Sequence, residues 1–322
     1  MMRRRAVLGG IAAGLATPAL GNANWPHDRI TIVTSLPAGS TVDVVSRIIG
    51  DHFTQIWGRP VIVDNRGGAN GIIACEIVAR ARPDGLTLLG TSAMTHAANP
   101  ALYDRLPYDP IRDFMAIGRF SRASPFALMV NRGLGTPTLR DFIARLKREP
   151  GRHNFGAGTV PARIASELFK QEAGVEIEHV GYRGNQQAFP DLLEGRISMM
   201  SVDVVGAKPL VERGTVDSLV QTDAPRHPSL PGIPTYEEAG LPGFRFTTWS
   251  GFYVPAATPP DIVARLGEGM QAALDDPDTR AKLDAAGALR GPRFTPAEFQ
   301  DFTAREMEHW GRIIRQAGIR LQ

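Results

Sequence analysis

The chain has 322 residues, of which 43% are hydrophobic and 21% are charged, an ordinary composition for a globular protein. At about 150 residues per domain, this length favours two domains. Lys and Arg total 36 against 33 Asp and Glu, and three of the basic residues lie in the first 23 residues, which contain no acid. The remainder is therefore balanced in charge and has no basic stripe, which argues against nucleic-acid binding.

The N-terminus has the order of a secretory signal peptide. Arg3, Arg4 and Arg5 precede an apolar, small-residue stretch over residues 6–20, and Gly21-Asn22-Ala23 follows. A membrane span needs about 20 apolar residues, and this stretch is shorter and is interrupted by glycines and a proline. We expect cleavage near Ala23 and export to the periplasm. The paired arginines leave both the general and the twin-arginine route open.

After residue 23 the chain alternates short β-rich runs with helical periods. A β-rich run at 29–34 precedes an apolar helical period over 42–57. Further β-rich runs at 60–64 and 86–90 enclose a helix that extends to about Arg82. This β-α-β-α-β order is typical of a parallel sheet covered by helices.

A second alternating series begins at residues 126–130 and ends at 218–222, which is a typical domain length. A proline-rich loop, an extended run at 244–249 and then mostly helices complete the chain. We expect these helices to return to the first lobe, so that two crossings form a hinge near residues 122–130 and 244–254. The predicted division is lobe 1 at 24–125 plus 248–322, and lobe 2 at 126–247.

Three strand-to-helix turns are rich in glycine and hydroxyl residues: 35–41, 90–95 and 156–159. In an open α/β sheet, ligands bind outside the carboxyl ends of the strands, where helix N-termini offer free backbone N–H groups to anions. A cap or turn role explains any single one equally well, but their recurrence favours an anion site. We expect backbone amides of 37–41 and 156–159 to supply most of its hydrogen bonds.

Nearly all of the chain after residue 23 resembles the substrate-binding receptors of tripartite tricarboxylate transporters, the Bug or TctC-like family. The segments that carry the resemblance are modest singly but specific in this order: Leu36-Pro37-Ala38-Gly39-Ser40-Thr41-Val42-Asp43, Val63-Asp64-Asn65-Arg66-Gly67-Gly68-Ala69-Asn70-Gly71, Ala81-Arg82-Pro83-Asp84-Gly85, Asn99-Pro100-Ala101-Leu102-Tyr103, Ala165-Ser166-Glu167-Leu168-Phe169 and Leu230-Pro231-Gly232-Ile233-Pro234-Thr235.

The resemblance implies a type II periplasmic binding protein, with two doubly wound α/β lobes joined by two hinge crossings. It implies an extracytoplasmic receptor that binds a small organic carboxylate and delivers it to a membrane permease. We expect a monomer that needs no cofactor or metal and catalyses nothing. The candidate ligand-binding residues are Leu36, Pro37, Ala38, Gly39, Ser40, Thr41, Thr91, Ser92, Thr95, Gly158, Thr159, Arg163 and Asp203.

Two residues depart from the family pattern, and two acids have open roles. Ser40 stands where the family often has glycine, and Arg163 stands where histidine is common. Arg163 would either fork onto a ligand carboxylate or face solvent. Asp203 follows an apolar run and would either contact a ligand or orient its loop, and the loop role is favoured because an unpaired carboxylate repels an anion. Asp43 has the same ambiguity, with helix stabilisation as the simpler role.

The alternative function is a secreted α/β hydrolase or lyase that acts on a small carboxylate. His96, with Thr95 or Ser92 nearby, would then be its base. The sequence lacks a Gly-x-Ser-x-Gly elbow and a Walker loop, and its seven histidines are scattered. The single cysteine, Cys75, excludes an internal disulfide and is expected in the core.

Overall fold

The computed structural model describes residues 24–121, 125–182, 184–222, 225–244, 246, 248–286, 288 and 293–320. The predicted signal peptide, residues 1–23, lies outside the described residues. The strands are β1 (Ile30–Thr34), β2 (Val61–Asn65), β3 (Thr87–Ser92), β4 (Phe114–Ser121), β5 (Phe126–Val130), β6 (Asn154–Ala157), β7 (Glu178–Gly181), β8 (Met199–Asp203), β9 (Asp217–Gln221) and β10 (Ser250–Pro255).

The α-helices are α1 (Thr41–Trp57), α2 (Ile72–Ala79), α3 (Asn99–Leu102), α4 (Leu139–Arg148), α5 (Val160–Ala173), α6 (Asn185–Leu193), α7 (Val204–Glu212), α8 (Pro260–Asp275), α9 (Pro277–Ala285) and α10 (Pro296–Gln316). Short 3-10 turns lie at Ala69–Gly71 and Arg132–Leu134, and a π-helical turn lies at Met94–Ala98.

The strands form two five-stranded sheets, in the orders β2-β1-β3-β10-β4 and β7-β6-β8-β5-β9. In the first sheet β1 runs parallel to β2 and β3, as predicted. In contrast, β10 is antiparallel to both of its neighbours, and β5 is antiparallel to β8 and β9. Each is the strand with which the chain enters one lobe from the other, so its direction is set by the crossing.

The register of these two strands shows which edge of each sheet faces the crossings. Ser250, the first residue of β10, pairs with Ser92 and Ser121, the last residues of β3 and β4. Phe126, the first residue of β5, pairs with Asp203, the last residue of β8. In both sheets, the carboxyl ends of the parallel strands therefore lie where the chain passes between the lobes.

Two crossings join the lobes, as predicted. The first runs from β4 to β5 through residues 122–124, which lie outside the described residues. The second crossing lies between β9 and β10. Because β10 begins at Ser250, the strand starts after the run at 244–249 that was expected to be extended. The predicted lobe boundaries after residues 125 and 247 stay predictions.

The apolar core is continuous from one lobe to the other. The Phe246 ring lies 5.3 Å from the Phe126 ring of β5 and 5.3 Å from the Trp310 ring of α10. Trp310 and Phe126 are both buried. The C-terminal helix thus packs at the junction, as the predicted return to the first lobe requires. None of the helices in the described part of the chain combines the length and the apolar character that a bilayer crossing needs.

Candidate functional site

The turn between β1 and α1 has an exposed tip at the edge that faces the crossings. Pro37, Ala38 and Gly39 are exposed, and Gly39 has φ 81°, a conformation that favours glycine. Ser40 caps α1, because its Oγ accepts a hydrogen bond of 3.3 Å from the amide of Asp43. Thr41 and Val42 follow Ser40 in the first turn of α1. The backbone N–H groups of a first helical turn have no hydrogen-bond partner within the helix. The helix therefore presents partial positive charge at this turn.

The buried side chain of Asp43 stabilises the turn between β1 and α1 by a hydrogen bond. The side chain is nearly inaccessible, and its Oδ2 accepts a hydrogen bond of 2.8 Å from the Gly39 amide. Burial raises the pKa of Asp43, but hydrogen bonds from Gly39, Asn65 and Arg47 outweigh burial and hold it below its usual value. The hydrogen bonds of Asp43 agree with the simpler, structural role considered for it from the sequence, and ligand contact by Asp43 stays untested.

The first turn has fewer free amides than predicted. The Gly39 amide is engaged by Asp43, and the Ser40 amide donates to the Pro37 carbonyl at 3.2 Å. Pro37 has no amide hydrogen. Anion binding by the amides of residues 37–41 stays a prediction, and it depends mainly on the amides of Ala38 and Thr41.

The turn after β3 lies against the first turn through a chain of buried hydroxyl groups. The hydroxyl oxygens of Ser35 and Thr91 are 2.7 Å apart, and those of Thr91 and Thr95 are also 2.7 Å apart. Thr91 and Thr95 are fully buried. Ser92 is partly exposed, and its Oγ accepts a hydrogen bond of 3.4 Å from the Met94 amide. The two threonines therefore lie beneath the predicted site, and Ser92 lies nearer its surface.

His96 lies in the core of the first lobe. Its ring stacks on Tyr253 at 4.0 Å, lies 5.0 Å from Phe114, and places Nδ1 2.9 Å from the Thr95 hydroxyl. Burial lowers the pKa of His96 to about 3. Cys75 is buried, as predicted, and burial raises its pKa to about 12. Neither group is placed for proton transfer to a molecule at the surface.

The turn between β6 and α5 is formed by close backbone packing. The Gly158 amide donates to Oδ1 of Asn185 at 3.0 Å. A Cβ atom at Gly158 would lie 2.0 Å from the carbonyl carbon of Gly184, so only glycine fits. Thr159 is exposed and caps α5 by accepting a hydrogen bond of 3.4 Å from the Ala162 amide. Asn185 was missed by sequence reasoning, because nothing in the local pattern pairs it with a glycine 27 residues earlier.

Arg163 lies one helical turn after Thr159, and side chains on helices lean toward the N-terminus. Its Nε is buried without a hydrogen-bond partner in the described structure. Burial, and then the Arg163 charge, lower the pKa of His179, whose Nε2 is also buried and unpartnered there. The Arg163 charge also acts to lower the pKa of Glu167, one turn further on, but burial raises that pKa overall. Within the described residues, Arg163 thus carries a buried nitrogen without a hydrogen-bond partner close to the turn.

Asp203 caps α7. Its Oδ1 accepts a hydrogen bond of 2.9 Å from the Gly206 amide, which agrees with the loop role favoured from the sequence. Ligand contact by Asp203 stays a prediction. No group of three or more His, Cys, Asp and Glu side chains within the described residues has the geometry to hold a metal ion.

Residues 45–319 match the sequence model of a family described as "Tripartite tricarboxylate transporter family receptor". The chain belongs to this family. The resemblance drawn from the sequence motifs is thereby confirmed.

Relatives in this family match along almost their whole length. The chain is 34% identical over 318 residues to the "UPF0065 protein in tcbD-tcbE intergenic region" of Pseudomonas sp. strain P51, with 97% of this chain and 94% of the relative covered. Among solved structures, "R. palustris Rpa4515 with adipate" has 32% identity and a TM-score of 0.80, covering 92% of this chain and 99% of that chain. "MatC (Rpa3494) from Rhodopseudomonas palustris with bound malate" has 30% identity and a TM-score of 0.75, covering 90% of this chain and 100% of that chain.

The fold neighbours support the predicted class of two-lobed periplasmic binding protein. The family places the chain among solute receptors. The two turns described above lie outside the carboxyl ends of their strands, the edge at which open α/β sheets generally bind ligands.

Proposed function

We propose that residues 24–322 form a periplasmic receptor that closes on a small organic carboxylate and delivers it to the membrane permease of a tripartite transporter. The observation that carries this proposal is the strand register, because it brings the carboxyl ends of both sheets to the crossings, and the exposed residues 37–39 and Thr159 follow these strand ends. The family and the relatives solved with adipate and malate support it.

The first turn would bind one carboxylate with backbone groups. Leu36, Pro37 and Ala38 shape the exposed surface, and the amides of Ala38 and Thr41, beside the Ser40 hydroxyl, supply donors. Gly39 gives the turn its shape. Thr91 and Thr95 would support the turn through their buried hydroxyl groups, which are hydrogen-bonded to each other and to Ser35. Ser92 would lie closer to the ligand.

The second turn would bind a second carboxylate with a side chain. Gly158 permits close packing, Thr159 is exposed, and the Arg163 guanidinium has five N–H donors in a planar fork that fits a carboxylate. Adipate and malate both carry two carboxylates, so we infer that a dicarboxylate is the preferred ligand class. Asp203 would orient its loop through the α7 cap.

The hydrolase or lyase alternative has less support. Its proposed base, His96, is fully buried between aromatic rings, and burial lowers its pKa to about 3. A general base must lie within hydrogen-bond reach of the proton it removes. We therefore propose that the chain acts as a receptor and not as an enzyme, exported with a signal peptide that is cleaved near Ala23.

A thermal-shift screen of residues 24–322 against mono-, di- and tricarboxylates, aromatic acids and amino acids tests the proposal. We expect at least one dicarboxylate to raise the melting temperature in a concentration-dependent way, because a ligand that binds only the folded state stabilises it. The acid should be recovered chemically unaltered. Absence of stabilisation by every acid, or conversion of the acid, would contradict the proposed function.

A further inference from the structure

A small hydrogen-bonded cluster behind the first turn is centred on Asn65, the last residue of β2. Its Nδ2 donates to the Thr34 hydroxyl at 2.7 Å and to Oδ1 of Asp43 at 2.9 Å. Its own Oδ1 accepts a hydrogen bond of 3.0 Å from Nη2 of Arg47, and Arg47 also contacts Oδ1 of Asp43 at 2.9 Å. One side chain from a neighbouring strand thus ties the end of β1 to the first turn of α1.

The cluster reaches the exposed tip of the turn through Asp43. Oδ1 of Asp43 is engaged by Asn65, which leaves Oδ2 directed at the Gly39 amide at 2.8 Å. Without Asn65, Oδ1 of Asp43 keeps only its contact with Arg47, whose side chain is half exposed, so the carboxylate is less firmly oriented toward the Gly39 amide. The position of the 37–39 tip therefore depends on a residue that lies outside the turn.

The segment after Asn65 supports the turn by contact. A Cβ atom at Gly67 would lie 3.0 Å from the backbone nitrogen of Pro37 and 3.3 Å from the carbonyl carbon of Leu36. The backbone at Gly67 is therefore close against the turn, and even one methyl group would push the turn outward. Hydrogen bonds from Asn65 and contact at Gly67 hold the same turn in two independent ways.

The geometry points to residues 65–67 as the positioning support of the ligand turn, with Asn65 as its central residue. Asn65 acts through Asp43 and sets the fraction of molecules in which the turn is ready to bind. The affinity measured for a ligand falls in proportion to that fraction. This inference rests on the proposed function, since it assigns Asn65, Asp43 and Gly67 a role in carboxylate affinity that goes beyond holding the fold.

The test compares Asn65→Ala and Gly67→Ala with a matched control, Asn154→Ala. The Asn154 side chain also donates one hydrogen bond and accepts another, with the Arg196 carbonyl and the Ser198 amide as its partners, but it lies at the first residue of β6, away from the turns. Binding of adipate and malate is titrated calorimetrically well below the melting temperature of every variant. Amide hydrogen exchange at Gly39 is measured without ligand.

We expect both test variants to bind about tenfold more weakly, as a tenfold smaller competent fraction requires. Exchange at Gly39 should rise in Asn65→Ala. Asn154→Ala should keep the wild-type affinity and the wild-type exchange at Gly39, even if it melts as early as Asn65→Ala. Asn65→Ala removes hydrogen bonds, whereas Gly67→Ala adds a methyl group against the turn. If one of these variants fails to fold, the other still tests the inference.

Wild-type affinity in both test variants would overturn the inference while leaving the proposed function intact. Faster exchange at Gly39 without a loss of affinity would overturn it as well. If the wild type binds no acid of the carboxylate screen, the proposed function fails first, and the inference falls with it.

Discussion

The turns at 35–40 and 158–159 occupy equivalent places in their lobes but are held in different ways. Side-chain hydrogen bonds through Asp43 and Asn65 mainly hold the first turn, with added contact at Gly67, and leave its tip exposed. Backbone contact of Gly158 with residues 184–185 mainly holds the second turn, and the Asn185 side chain adds one hydrogen bond. Removal of single hydrogen bonds should therefore destabilise the first turn in small steps, whereas the second turn requires glycine at position 158.

In the proposed mode of binding, this difference would separate general from selective recognition of the ligand. The first turn offers backbone donors and a helix N-terminus, which recognise any carboxylate. The second adds Arg163, a side chain that can be exchanged without rebuilding the turn, and whose Nε lacks a partner within the described residues. We infer that the ligand class is determined mainly in the second lobe.

Gly158→Ala should have the largest effect, because the new Cβ would overlap the backbone of Gly184 and Asn185. We expect the free energy of unfolding to fall by about 3 kcal/mol or more, measured by chemical denaturation. Gly232→Ala is the control, since a Cβ atom at Gly232 would meet no other atom within 4 Å and its backbone is not left-handed. A loss at Gly158 no greater than at Gly232 would contradict the described packing.

Arg163→Gln should weaken dicarboxylate binding about tenfold, the loss expected when a charge-assisted hydrogen bond is replaced by a neutral one. Arg140→Gln removes the same charge from an exposed position on α4 and should leave affinity unchanged. Calorimetric titration with adipate, malate and a monocarboxylate checks this. An equal loss for the monocarboxylate would show that Arg163 does not read the second acid group.

His96 should make unfolding depend on pH in a way that His96→Phe does not. Burial lowers the folded-state pKa to about 3, from an ordinary value of 6.5. Below pH 6.5 the unfolded chain therefore binds a proton at His96 that the folded chain does not bind. The free energy of unfolding consequently falls as the pH decreases toward 3. The slope from this one group approaches about 1.4 kcal/mol per pH unit.

Denaturation of the wild type and of His96→Phe between about pH 7 and pH 4 isolates this slope as the difference between the two proteins. Ligand affinity at neutral pH should be unchanged in His96→Phe. Identical slopes for the two proteins would contradict the burial of a neutral histidine. Conversion of a small carboxylate by the wild type that is lost in His96→Phe would support the enzyme alternative.

Asp203→Ala should have the smallest effect. Loss of the α7 cap costs about 1 kcal/mol in the free energy of unfolding, measured by chemical denaturation. Affinity for adipate and malate should stay at the wild-type value. A marked loss of affinity would instead place Asp203 among the ligand contacts.

Much of the fold was predictable because its signals are local. The β-rich run at 29–34 and the helical period at 42–57 match β1 and α1 to within one residue, since periodicity and caps act over a few positions. The directions of β5 and β10 were not predictable in this way. They depend on the route of the chain between lobes, which local periodicity does not record.

The candidate site was predictable as a set of turns but not as a set of contacts. Glycine and hydroxyl residues correctly marked the strand ends. The partners of Gly39 and Gly158 could not be inferred, because Asp43 is held by Asn65 22 positions away and Gly158 is held by Asn185 27 positions away. Burial likewise separates Thr91 and Thr95 from the exposed residues of the same prediction.

A crystal structure of residues 24–322 with a bound dicarboxylate tests binding between the two turns most directly. We expect one carboxylate at the 36–41 turn of the first lobe and the other at Thr159 and Arg163 of the second, with the acid enclosed where the chain crosses between lobes. An acid bound elsewhere, or touching only one of these turns while the other points away from it, would contradict this mode of binding.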